Sequence, residues 1–229
     1  MISKMIRYDI VLFAGEQERF VNELRELGLV DITTTGWEPS EGDRSVLMEI
    51  EARNKAIEFL SSFEKSEVFN KSVMPYASGE EAFECYTLAR DERQQLQQEV
   101  ARLEKLASEV EPWGSYSYEE MANLAKQGVS MRYFMASPSA YDKLKAECDE
   151  SVTIAKIGAT SSNVYFVVIT TDGSVVAVDG QEVRLPESDS QALLKQAEAL
   201  KAEDNALDET FSRAALSLDL LDAECGKLK

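Results

Sequence analysis

Histidine is missing from this chain altogether. Without imidazole there are no Ser-His or Cys-His nucleophile pairs and no His-ligated metal sites. Cysteine is scarce: Cys85, Cys148 and Cys225 are odd in number, far apart and without metal-type spacing. They suit a reducing cytoplasm, and Cys225 falls on an apolar stripe where a thiol behaves as a small hydrophobe. No glycine-rich phosphate loop occurs, since Gly158 and Gly173 stand alone. Asp172-Gly173 and Asp179-Gly180 lack the alternating oxygen ligands of a calcium loop and read as turns. Nothing approaches the ~18 consecutive apolar residues that cross a bilayer. Met1–Phe13 is interrupted by Lys4, Arg7 and Asp9, unlike a signal peptide. Basic residues are in deficit too: 24 Lys and Arg against 42 Asp and Glu leave a net charge of −18. That field disfavours nucleic-acid backbones and anionic lipid headgroups. It serves either solubility or a basic protein partner. No residue is assigned a catalytic, cofactor-binding or metal-ligating role.

What the chain has instead is a heptad seam. Leu193, Ala197, Leu200, Asp204, Leu207, Phe211, Ala214, Leu218, Leu221, Cys225 and Leu228 alternate in steps of four and three. Asp204 is its charged interruption. A shorter seam lies upstream at Ala89, Arg93, Leu96, Val100, Leu103, Ala107 and Val110. Antiparallel pairing of residues whose numbers sum to about 300 brings Asp204 across from Leu96 and within reach of Arg93. Asp204 is then either a register-setting partner of Arg93 or exposed where the pairing loosens. In this register Leu221, Cys225 and Leu228 find no partner on the first helix. Glu99, Glu104, Glu198 and Glu203 lie at helix-surface spacings and read as solvated faces.

The remaining segments read as two small α/β lobes. Met5–Phe13 and Val30–Thr34 are strand candidates, and Glu16–Leu27 is a helix with Phe20, Leu24 and Leu27 on one stripe and Gly28 as C-cap. Arg44–Phe63 looks helical through Leu47, Ile50, Ile57 and Leu60. The first long helix runs from about Glu80 to Glu111, ~48 Å at 1.5 Å per residue. Pro112-Trp113-Gly114 turns the chain into the second lobe. There Ser117 and Glu120 open a short helix with Met121 and Leu124 inward, closed by Gly128. Val129–Ala136 is a strand, and Ser137-Pro138 caps the next helix. Val152–Ile157 and Val164–Thr171 form a hairpin, and Val175–Val178 with Glu182–Leu185 form another around Asp179-Gly180. Pro186 stops the sheet, and Ser188 or Ser190 caps the second long helix. Trp113, Tyr116 and Tyr118 form either a stacking surface or a staple joining helix to lobe.

The expected architecture is α+β: a dumbbell of two small α/β lobes joined by a long antiparallel two-helix coiled coil. Its parts are a proximal lobe at 1–78, incomplete by itself, the first helix at 79–111, a distal lobe at 112–187 and the second helix at 188–229.

Several strings, in order along the whole chain, resemble the cytoplasmic part of subunit I (subunit a) of V-type and archaeal A-type ATPases/ATP synthases. They are Lys4-Met5 through Phe13, then Glu23-Leu24-Arg25-Glu26-Leu27-Gly28 and Val30-Asp31-Ile32. The corner Pro112-Trp113-Gly114 follows, then Gly128-Val129-Ser130-Met131-Arg132-Tyr133-Phe134 and the exit Val183-Arg184-Leu185-Pro186. The family's membrane half is absent, so the chain resembles a cytoplasmic fragment of an integral membrane parent. The resemblance implies a non-catalytic stator on the cytoplasmic side of the membrane, linking the proton or sodium path to E/G-type peripheral stalks. It also implies a lobe helix after Val164–Thr171, for which there is little room before Gly180; a hairpin is the substitute. Other classes remain open. ACT-type ligand-sensing lobes would need a paired sheet and a pocket, and a generic coiled-coil scaffold would need neither. Exposed edges of an incomplete proximal lobe would invite self-association.

Overall fold

The computed structural model describes residues 10, 13–27, 39–148, 152–171 and 176–228. The chain divides into two compact units, residues 1–47 and 48–229.

In the first unit, a 3-10 turn at Ala14–Glu16 leads into α1 (Gln17–Leu27). Phe20 and Leu24 are half-buried as the stripe predicts, whereas Leu27 is exposed. Helix α2 (Glu41–Phe63) begins three residues before the expected Arg44. The reason is a cap: the Ser40 hydroxyl and amide both donate to Asp43 Oδ2, at 2.7 and 2.9 Å. Asp43 N–H donates back to Ser40 Oγ, which satisfies an otherwise orphaned helix donor. These bonds hold the Asp43 carboxyl below its ordinary value. The Val30–Thr34 strand and the Gly28 cap lie outside the described residues. So does the Met5–Phe13 strand apart from Ile10 and Phe13, which are both exposed.

The second unit is built on α3 (Gly79–Val110) and α6 (Ser190–Ala215). Ser78 caps α3 by accepting from Glu81 N–H, while Glu81 accepts from Ala77 N–H. The two helices pack side by side in the expected register. They bury Val100, Leu103, Ala107 and Val110 of α3 against Leu193 and Ala197 of α6. Neither Ser188 nor Ser190 caps α6; Asp189 does, accepting from Ala192 N–H at 2.9 Å.

The seam is not one helix to its last residue. It breaks at Leu216–Ser217 and resumes as α7 (Leu218–Leu228). Two serines account for the break. Ser212 Oγ donates to Asp208 O and Ser217 Oγ to Arg213 O, at 2.7 and 2.9 Å, a competition with the backbone ladder that bends helices. The loop between α2 and α3 then fastens the junction. Asn70 N–H donates to Ser212 Oγ, Tyr76 N–H to Ser217 Oγ and Arg213 Nε to Met74 O.

The bend corrects the expectation that Leu221 finds no partner on the first helix, since Ala82 of α3 shares its core, while α2 of the 1–78 segment covers both Leu221 and Cys225. Both are fully buried: Leu221 joins Ala56, Leu60, Ala82 and Phe211 in one core, and Cys225 reaches Asn54 Oδ1. Leu228 is half-buried. Close approach of α7 depends on Gly79, where a Cβ would stand 2.5 Å from Leu220 O. The buried stripe of α2 is Arg53, Ala56, Leu60 and Phe63, so Leu60 is the expected residue that holds its place. Leu47 is exposed and Ile50 and Ile57 are only half-buried.

A four-stranded antiparallel sheet sits between α3 and α6 in sequence. Its strands are β1 (Ser130–Ala136), β2 (Thr153–Ala159), β3 (Val164–Thr170) and β4 (Gln181–Val183), in the order β2-β3-β1-β4. Helices α4 (Tyr118–Lys126) and α5 (Pro138–Glu147) flank β1, capped by Ser117 and Ser137 as predicted. Gly128, at φ 90°, closes α4 in the left-handed region. Leu124 is exposed, unlike the inward Met121.

The β2–β3 hairpin forms as expected, with a bulge between Lys156 and Gly158. The Val175–Val178 hairpin does not. Residues 176–178 form no strand, and Gln181–Val183 pairs with β1 instead. Gly180 permits this, since a Cβ there would stand 2.9 Å from Met135 O. Residues 176–178 also form no helix, and 172–175 lie outside the described residues. Taken together, the described residues give a mixed α/β chain, mainly helical.

Candidate coupling and docking elements

The Arg93–Asp204 pairing is formed. Arg93 Nε donates to Asp204 Oδ1 at 2.8 Å, and its Nη2 donates to Asp208 Oδ1 at 2.6 Å and to Asp204 O at 2.9 Å. The guanidinium lies over the Phe211 ring, 4.6 Å from its centroid. All three charged side chains are about one-fifth exposed. A fork of this geometry is satisfied only when α3 and α6 sit in one register. Sliding either helix by a turn would strand a partly buried charge, so the pair fixes alignment more than it adds net stability.

The solvated-face reading describes the neighbouring acids. Glu99 pairs with Arg102 within α3, which holds its carboxyl below the ordinary value, and Glu104 pairs with Lys201 across the two helices. Glu198 and Glu203 are exposed.

Between helix pair and sheet, the aromatic residues divide. Trp113 is buried and stands edge-on to Tyr133 and Tyr165, at centroid distances of 5.8 and 5.3 Å. The Tyr116 hydroxyl lies 2.9 Å from Pro186 O and 3.0 Å from Ser188 O, tying the segment entering the sheet to the one leaving it. Burial, with Asp189 close by, pushes the Tyr116 phenol up to about 12. Tyr118 is exposed and takes no part. The staple reading therefore holds for Trp113 and Tyr116. Gly158 completes the corner: a Cβ there would stand 2.4 Å from Pro112 O.

Two features escaped sequence reasoning. Arg53 is buried, stacked over Phe83 at 4.5 Å and bonded to Glu49 and Glu80. An arginine between Ile50 and Ile57 reads as surface, and only its position on the Ala56–Leu60–Phe63 stripe signals otherwise. The second is the aromatic group Phe59, Phe63, Phe69, Tyr86 and Phe211, assembled from three helices and a loop. Cys85, Cys148 and Cys225 are free thiols. Among the described residues no group of three or more Cys, Asp or Glu is placed to hold a metal, and no helix is long and apolar enough to cross a membrane.

No family model matches this sequence, and no curated protein matches it. A solved structure, the cytoplasmic N-terminal domain of subunit I, homolog of subunit a, of V-ATPase, is similar over 93% of this chain and 87% of that one. The identity is 14% and the TM-score 0.35.

Proposed function

We propose that this chain is a non-catalytic stator component of a rotary V-type ATPase/ATP synthase: a cytoplasmic arm that joins the membrane ion path of its parent to E/G-type peripheral stalks. The parts of the arm are the proximal lobe at 1–78, the helices at 79–111 and 188–229, and the distal lobe at 112–187. The observation that carries this reading is where three of the family-like strings fall. Pro112-Trp113-Gly114, the Gly128–Phe134 run and Val183–Pro186 supply the corner staple, an inner strand and the exit, respectively. A stator must transmit force without changing its own alignment, and a helix pair locked by Arg93, Asp204 and Asp208 resists axial slip. Hydrolysis of ATP resides in other subunits on this view.

The test is binding of the purified chain to an E–G stalk heterodimer, read by sedimentation velocity. A defined complex is expected, weakened by salt in keeping with the chain's net charge of −18. Absence of a complex at tens of micromolar would overturn the reading. Phosphate release from ATP by the chain alone, abolished by a point mutation in it, would overturn the non-catalytic part.

A further inference from the structure

A cavity of about 430 Å³ lies between α4 and the β1–β4 edge of the sheet. Met121, Ala122 and Ala125 wall it from α4, and Met131, Tyr133 and Leu185 from the sheet side. It is a cleft open to solvent on one side, of a size that suits a small molecule, and it sets this apolar wall beside the polar heads of Tyr118, Tyr133, Arg132, Glu182 and Arg184. Thioethers are pliable and polarizable, so such walls adapt to ligands of differing outline.

The polar groups are unequal in what they have left to offer. Arg132 is committed, forked onto Glu182 at 2.9 and 2.6 Å and donating to Val176 O. The Tyr133 hydroxyl faces Met121 Sδ at 2.8 Å, a weak acceptor, which leaves its oxygen lone pairs unengaged; burial pushes its pKa up and keeps it neutral. Arg184 lines the cavity with its side chain exposed to solvent, and among the described residues it has no hydrogen bond or ion pair. The other six arginines of the 48–229 unit, Arg53, Arg90, Arg93, Arg102, Arg132 and Arg213, all have such partners. Two arginines against one glutamate also give the lining a net positive charge, in a chain of net −18.

We propose that this cavity binds a small monocarboxylate with an apolar body, its carboxylate on Arg184 and its hydrocarbon among Met121, Met131 and Leu185. One free guanidinium matches one carboxylate as a bidentate pair. A doubly charged phosphate would leave a charge unmatched within the anionic field of the protein. The inference is independent of the stator reading, which is scored on stalk binding.

The experiment titrates the full chain, labelled at methionine methyls, with 3-phenylpropionate and separately with its neutral amide. Met121→Leu and Met131→Leu assign the signals. Saturable shifts of the Met121 and Met131 methyls are expected, with the acid binding about tenfold more tightly than the amide. Arg184→Gln should bring the two ligands to equal affinity, and Ala125→Phe should abolish both by filling the space. No saturable shift up to millimolar ligand would overturn the proposal. So would equal binding of acid and amide to the unaltered chain, or an acid preference that survives Arg184→Gln. The acid–amide comparison needs no variant, so a poorly folding Ala125→Phe does not blunt the test.

Discussion

The α3–α6 pair has two ends that differ in how much surrounds them. Around Tyr86 and Phe211, residues from α2, α3, α6, α7 and the loop before α3 close one core, with Ala56, Leu60, Ala82, Phe211, Ala214 and Leu221 at 0% exposure. Around Val100 and Leu193 the core is drawn almost wholly from two helices, and Val100 remains 9% exposed. Between the ends sit Arg93, Asp204 and Asp208. Two helices alone share a single stripe and leave their flanks wet, so their alignment needs a polar lock. With more layers, shape complementarity does the aligning. The lesson is that one seam pattern serves both ends, while the number of neighbours decides what each seam residue is worth.

That contrast can be broken by truncation. Phe211→Ala should cost about 3–5 kcal/mol, because the surrounding rings cannot collapse into the space. Leu103→Ala should cost roughly 2 kcal/mol, since the two-helix end relaxes and admits water. Equal losses in chemical denaturation would erase the distinction. For the lock, Arg93→Met should cost about 2–3 kcal/mol by leaving two carboxylates unpaired, whereas Arg93→Met with Asp204→Leu and Asp208→Leu should be near neutral. Additive losses in that three-residue mutant cycle would mean that the charges do not act as a unit.

A pH titration sharpens the comparison further. Burial, with Cys85 adjacent, pushes the Tyr76 phenol up to about 12 at the crowded end, and Tyr116 at the corner reaches the same value. Both folded values exceed the ordinary phenol value of about 10. Their contribution, on the order of 1–2 kcal/mol for each, is therefore complete below pH 10 and lost as pH climbs towards 12. Absorbance of the phenolates should rise late and together with unfolding; ionisation near pH 10 in the folded chain would refute the burial argument. Smallest of all, Lys201→Ala removes an exposed pair with Glu104 and should cost about 0.5 kcal/mol or less. A larger loss would show that the two-helix end relies on its rim.

Much of this was legible in the sequence. The α3 boundaries, the caps at Ser117 and Ser137 and the β2–β3 hairpin follow from spacing and side-chain chemistry, and the Arg93–Asp204 pairing is one of the two alternatives that spacing left open. The misplaced starts of α2 and α6 are local, caps at Ser40 and Asp189, whereas the larger misses come from long-range contacts overriding local signals. Asp179-Gly180 carries a strong hairpin signal, yet residues 181–183 gain more by pairing with β1. The heptads run through Leu216–Ser217, yet Ser212 and Ser217 are held by loop residues about 140 positions earlier. The Arg184 cavity depends on α4 lying beside the β1–β4 edge, a placement that no local pattern encodes.

The fastening of the α6–α7 bend has a consequence for the order of events during synthesis. Ala56, Leu60, Ala82 and Tyr86 leave the ribosome long before Phe211, Leu221 and Cys225, which seal the same interior. Until the later residues emerge, α2 and α3 present an uncapped greasy surface to solvent or to a chaperone. Contacts of such sequence separation slow folding and lengthen the exposure. The nascent chain is thus vulnerable to aggregation until Phe211, Leu221 and Cys225 have emerged, and synonymous codons that speed residues 190–225 should raise its soluble yield.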